Sequence, residues 1–141
     1  VSWGFEIPEG TRNVYKQMSW GGIKRNVTDA LFSDYVRILA KWNCQKCRRN
    51  FSKRRQQLHN SHYYGRRAKS VRWSTENCTA LCSGCHRYFE ENPGEYTRFM
   101  KNRLGEERYW KLTVRAKTPI NKLTFSEEAI RVWLKNELKK I

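Results

Sequence analysis

The sequence has no apolar run near the ~20 residues that a membrane span needs. It shows no secretory h-region at its N-terminus, no internal repeat and no low-complexity tract. Acidic residues are scarce, with 13 Asp and Glu against 29 Lys and Arg, for a net charge of +16 and a pI near 10.0. Such a field repels basic partners and draws polyanions. Nucleic acid is the leading partner class. An anionic membrane surface fits less well, because the basic residues do not share one long amphipathic helix. An even disulfide framework is also missing. Of five cysteines, four fall into Cys-x-x-Cys pairs, Cys44/Cys47 and Cys82/Cys85. Thiolates held by metal in a reducing compartment fit that pattern, so a cytoplasmic protein is expected. The chain begins at Val1 rather than Met, as a trimmed chain or a fragment would.

What is present is enough for one domain with a modest core, expected over residues 1–141. Residues 1–26 read as an irregular arm with several glycines and aromatics, whose basic end, Lys24-Arg25, can touch phosphate. Residues 27–42 read as a helix carrying Leu31, Tyr35, Ile38, Leu39 and Trp42 on one face, capped by Asn26 or Thr28. It delivers the chain to Cys44. A strand is expected over 56–64, with a return strand around Val71 and Trp73. Asn77 then precedes a helix carrying Leu81, Cys82, Cys85, His86 and Phe89, closed off by Pro93. The C-terminal third reads as helices over about 94–104 and 106–116, with Gly105 as a C-cap between them. A last helix starts near Ser126, where Thr124 and Glu127 are spaced as a capping box. Its expected buried stripe is Ile130, Trp133, Leu134, Leu138 and Ile141.

The cysteines carry the strongest signal. A Cys-x-x-Cys turn aims two sulfurs at one centre, and two such turns complete a tetrahedron around structural Zn²⁺. The plain alternative is four buried free thiols. Cys78, the odd cysteine, reads as a small buried residue. His62 lies near the end of the first strand and can take a proton from water at neutral pH if a partner orients its ring. His59, three positions earlier, points to the opposite strand face and reads as a packing or nucleic-acid contact. His86 follows Cys85 directly, so a rigid mount would hold it as a ligand for a catalytic metal. Asn77 can cap the helix, tie the loop to the strand, or do both. Arg48, Arg49, Arg54, Arg55, Arg66 and Arg67 form a candidate phosphate track, although each alone reads as a solvated surface charge.

The run Leu58-His-Asn-Ser-His62 followed by Asn77-Cys-Thr-Ala-Leu-Cys82-Ser-Gly-Cys85-His86 resembles the HNH endonucleases, the ββα-metal or His-Me finger group. The match covers about residues 44–92. A wider pattern over about 27–116 is similar to phage recombination nucleases of the NinG type: Asp29-Ala-Leu-Phe-Ser-Asp-Tyr-Val-Arg37, Gly65-Arg-Arg67, Arg72-Trp-Ser-Thr-Glu-Asn77 and Leu104-Gly-Glu-Glu-Arg-Tyr109. The resemblance implies an α+β fold. A small ββα-metal HNH core over 44–92 would be stapled by a four-cysteine zinc site. The arm (1–26) and a helix (27–43) would flank it on one side, and helices over 93–141 on the other.

It also implies roles. His62 would be the general base and Asn77 would buttress the loop. His86 would ligate a catalytic Mg²⁺ or Mn²⁺. Many members carry a second metal ligand just before the base, where this chain has Ser61, a weaker candidate ligand than a carboxylate. The implied activity is hydrolysis of DNA phosphodiester bonds to a 5′-phosphate and a 3′-hydroxyl. Branched or nicked recombination intermediates are the expected substrates, and junction cleavage would favour a homodimer. A nicking or packaging-associated HNH nuclease is the neighbouring alternative. A zinc-containing DNA-binding module without catalysis is the rival class, and it would not need His62 and His86 together.

Overall fold

A computed structural model describes residues 26–141 and, in backbone only, two short strands, β1 (Ser19–Trp20) and β2 (Ile23–Lys24). β1 and β2 pair antiparallel. The remaining expectations for the arm over 1–26 lie outside the described residues. The rest is mixed α and β: helix α1 (Val27–Leu39), strands β3 (Leu58–His62) and β4 (Cys78–Cys82), then helices α2 (Ser83–Glu91), α3 (Pro93–Leu104), α4 (Glu106–Lys117) and α5 (Glu127–Lys140). No helix among the described residues is long and apolar enough to cross a membrane. The described residues pack as two compact units, Val36–Asn121 and a second that joins those up to Tyr35 with Lys122–Ile141. The break falls inside α1, after Tyr35.

The 36–121 unit holds the strand–strand–helix segment. β3 and β4 pair antiparallel, in a register that sets Leu58 opposite Cys82 and His62 opposite Cys78. All five β4 residues are buried. Such a strand has no polar face and so no alternation to read. That is why Leu81 and Cys82 belong to β4 rather than to the helix expected there. The return strand expected around Val71 and Trp73 is instead a series of turns: Val71 N–H donates to the Ala68 carbonyl and Ser74 N–H to the Val71 carbonyl. Val71 is fully buried as a single apolar plug in that loop, which produced the strand-like signal.

α2 begins with no linker after β4. Its N-cap is Cys82, whose sulfur accepts from the Cys85 N–H at 3.5 Å. α2 stops at Glu91, and Pro93, with no N–H to lose, opens α3. Gly105 ends α3 at φ 83°, a left-handed conformation that a side chain rarely adopts. Met100, Leu104 and Leu112 are buried, as are Leu58 and Leu81. Each such burial stabilises the unit by about 1.5–3 kcal/mol before chain entropy is counted.

In the other unit, Asn26 Oδ1 caps α1 by accepting from Asp29 N–H at 3.0 Å. Ser126 caps α5 by accepting from Ala129 N–H at 3.1 Å. The N-cap is thus Ser126 rather than Thr124, which makes Glu127 the first helical residue rather than the third that a capping box needs. The Glu127 carboxylate is taken by Asn26 Nδ2 (3.0 Å) and Thr28 Oγ1 (3.1 Å) instead. Leu134 and Leu138 are buried, but Trp133 is 48% exposed and meets Tyr35 edge-on.

Candidate metal centre and active site

The sequence sets 34 residues between the cysteine pairs, and the fold closes the gap. The first pair sits on a tight knuckle: Arg48 N–H donates to the Cys44 carbonyl, Cys44 N–H donates to the Arg49 carbonyl, and Arg48 takes a left-handed φ of 69°. The second pair straddles the junction of β4 and α2. Their sulfurs all lie within 4.8 Å of one another, and Cys47 Sγ is 3.9 Å from Cys82 Sγ. Four thiolates around a tetrahedral ion at about 2.3 Å would be about 3.8 Å apart. A disulfide needs about 2 Å. The set therefore fits a metal ion. Backbone N–H groups of Cys47 and Cys85 point at Cys44 Sγ and Cys82 Sγ, each at 3.5 Å, and would disperse thiolate charge.

Electrostatics divide the four. Burial pushes Cys47 up, but hydrogen bonds from Arg49, Cys44 and Cys82 outweigh it and bring the thiol down to about 6. Cys47 is also the exposed member. Cys85 goes the other way, raised by burial and by its neighbouring thiols. Cys78 is buried, is absent from this cluster, and lies 3.8 Å from the Arg72 carbonyl.

His86 stands one residue beyond the cluster. Its Nδ1 lies 3.0 Å from Nδ1 of His59, and its Nε2 lies 3.4 Å from the Glu90 carboxylate one turn along α2. The carboxylate favours a proton on Nε2, which leaves the Nδ1 lone pair facing His59. Two imidazole nitrogens this close must share a proton or a cation. Cis ligands of an octahedral ion at about 2.1 Å would be about 3.0 Å apart, so the pair fits a divalent cation. Burial, followed by the charges of His86 and Arg37, holds His59 below the usual histidine range. That favours the neutral ring that ligation requires.

The reading of His59 as a packing or nucleic-acid contact missed this pairing. The signal was available. The alternation that sends His59 away from His62 puts it on the same face as Ser61, where a second ligand was sought. Ser61 itself is buried, with its hydroxyl 2.8 Å from Tyr96 OH. Burial raises that phenol to about 12, so it stays protonated and engaged with the serine. The structure thus gives Ser61 a core partner rather than an open coordination position.

His62 sits at the far end of β3. Its Nε2–H donates to the Arg72 carbonyl at 2.9 Å, which fixes the ring and leaves the neutral lone pair on Nδ1. Asn77 is fully buried and ties both ends of the intervening loop. Its Oδ1 accepts from Tyr64 N–H at 2.9 Å, while Nδ2 donates to the carbonyls of Tyr64 (2.9 Å) and Val71 (3.2 Å). These bonds hold the turn that carries Arg72 and hence its carbonyl. The site thus has two parts. His59 and His86 come together, whereas strand alternation places His62 on the other face of β3.

Of the expected phosphate track, Arg48, Arg49, Arg54, Arg66 and Arg67 are exposed and Arg55 is half-buried. From Tyr35 to Thr75 the chain carries eight Arg, four Lys and no acidic residue. No protein-family model, no curated protein and no solved structure matches this chain.

Proposed function

We propose that the chain is a metal-dependent DNA endonuclease of the HNH type, with a structural zinc on Cys44, Cys47, Cys82 and Cys85. The observation that carries this reading is the 3.0 Å approach of His59, on β3, to His86, on the helix that grows out of the cysteine cluster. A zinc module without catalysis has no use for a paired imidazole site beside its clamp. The ββα core of the resemblance corresponds to β3, β4 and α2. His86 and His59 would hold Mg²⁺ or Mn²⁺, with Glu90 setting the His86 tautomer. That ion would supply a Lewis acid for the scissile phosphate and its leaving oxygen.

The protein groups do the rest. His62, held through Nε2 by the Arg72 carbonyl, takes the proton of the attacking water at Nδ1. Asn77 keeps that carbonyl in place. The exposed arginines bind flanking phosphates, so binding weakens as salt rises. The resemblance favours branched or nicked DNA as substrate and a homodimer as the working form. A nicking or packaging-associated nuclease would share the same site.

Plasmid nicking tests the reading. Wild type should nick supercoiled DNA with Mn²⁺, and His62→Ala and His86→Ala should each lose about 10²–10⁴-fold. An intact plasmid under every metal tried would leave the non-catalytic module standing. Loss of cleavage in His59→Ala together with unchanged cleavage in His62→Ala would move the base role to His59. A panel of linear, nicked, flap and four-way DNA then decides the substrate, and equal cutting of all four would remove the branched-DNA assignment.

A further inference from the structure

Nine of the twelve cations of the acid-free stretch are exposed, whereas Arg37, Arg55 and Arg72 are half-buried. Two of these three converge on one indole. The Arg55 guanidinium lies 4.4 Å from the centroid of Trp42 and that of Arg37 lies 5.9 Å from it. Arg55 Nε also donates to the Ser52 carbonyl at 3.2 Å, and Arg37 donates to the Leu58 carbonyl at 3.4 Å. Among the described residues, no carboxylate forms an ion pair with Arg55. An aromatic face and a carbonyl steer a guanidinium while leaving its charge unneutralised. Such a group is preorganised for an anion that comes from elsewhere.

The backbone under Trp42 is unusual. Lys41 and Trp42 adopt φ of 54° and 61° in succession. For a residue as bulky as tryptophan this is a genuine outlier, since glycine would take the step without strain. It is held by Trp42 N–H to the Arg37 carbonyl (2.9 Å) and Phe51 N–H to the Trp42 carbonyl (2.7 Å). Strain that persists at a bulky side chain marks a position where that side chain is needed. The location supports this. Arg55 opens the single turn that leads into β3, four residues before His59, and Arg37 donates to the carbonyl of Leu58, the residue that precedes His59.

We infer that Arg55, seated on Trp42 and backed by Arg37, is a phosphodiester-binding subsite that positions the DNA backbone beside the His59–His86 pair. The inference rests on the nuclease reading for its purpose, but its test does not depend on cleavage. Binding of a fluorescently labelled duplex to full-length His86→Ala protein is measured across a salt series. Circular dichroism and metal content confirm the fold of each variant. Adding Arg55→Ala should weaken binding about tenfold and lower the salt slope by about one. Lys53→Ala, which removes an exposed cation nearby, should weaken it no more than about twofold. Trp42→Phe should keep most of the affinity. Trp42→Leu should lose much of it with every charge still present. Arg55→Lys should fail to restore it, because a compact ammonium neither stacks nor forks. Equal losses for Arg55→Ala and Lys53→Ala, or full affinity in Trp42→Leu, would overturn the subsite. If wild type never cuts DNA while these binding differences hold, the nuclease reading fails and the subsite stands.

Discussion

Replacing Asn77 by alanine should open the loop that orients His62. The size of the effect follows from the groups it strands. The Tyr64 N–H and C=O, both partly buried, lose Oδ1 and Nδ2, while the buried Val71 carbonyl loses its Nδ2 donor and keeps the Ser74 N–H. A buried polar group left unmade costs about 1–3 kcal/mol, and water reaching the Tyr64 pair reduces the cost of each, so about 2–4 kcal/mol is expected in all. Urea unfolding followed by tryptophan fluorescence measures it. Amide hydrogen exchange at Tyr64 locates it and should accelerate about tenfold or more, because that N–H donates to Asn77 itself. Asn77→Asp separates the parts. It keeps the acceptor for Tyr64 N–H but sets a carboxylate against two carbonyls, so it should be nearly as damaging as alanine. A loss under about 1 kcal/mol with Tyr64 protection intact would refute the reasoning.

Four further outcomes are expected. The purified protein should carry one tightly held zinc, and Co²⁺ in its place should show the absorption of a tetrahedral thiolate site; no metal, or a site unchanged in Cys82→Ser, would contradict the clamp. In metal-free protein at pH 7, brief iodoacetamide treatment followed by peptide mass spectrometry should label Cys47 ahead of Cys85, since Cys47 is exposed and lowered to about 6 whereas Cys85 is buried and raised. A folded-state value below the ordinary thiol range adds stability above that range, lost as pH falls through about 6, so the metal-free fold should loosen toward acid pH. Ser126→Ala removes the cap on α5 and should cost about 1 kcal/mol in thermal melts; Thr124→Ala, two residues before that cap, should cost less.

How much of this was legible in the sequence depends on whether a residue's neighbours were local. The cysteine pairs, the break between α2 and α3 at Pro93 and the Gly105 cap follow from chemistry within a few residues. β4 was hidden because a strand covered on both faces reads as an apolar run, and the Leu81/Cys85 spacing mimics a helix turn. Glu127 was expected to look back along its own helix, but Asn26 and Thr28, about a hundred positions away, claim its carboxylate. His59 was missed for a similar reason. Alternation gave its face, but its partner depends on where α2 crosses β3, which no local pattern records.

That crossing ties the cysteine cluster to the imidazole pair. Cys82 is at once the last residue of β4, the N-cap of α2 and a member of the thiol cluster. Its sulfur accepts the Cys85 N–H, and His86 is the next residue. A helix N-terminus exposes N–H groups that favour negative charge, so a thiolate at this cap is stabilised by the helix it starts. An ion at the cluster would pin Cys82 and Cys85 to the 44–47 knuckle and thereby fix the first turn of α2. The direction of His86 toward His59 is set in that turn. Loss of the structural ion would then act on the imidazole pair without touching either ring, by freeing the helix end that aims one of them. The same ion would anchor the knuckle's left-handed Arg48 and the basic chain beyond it, so one clamp would hold both His86 and the start of the acid-free basic stretch.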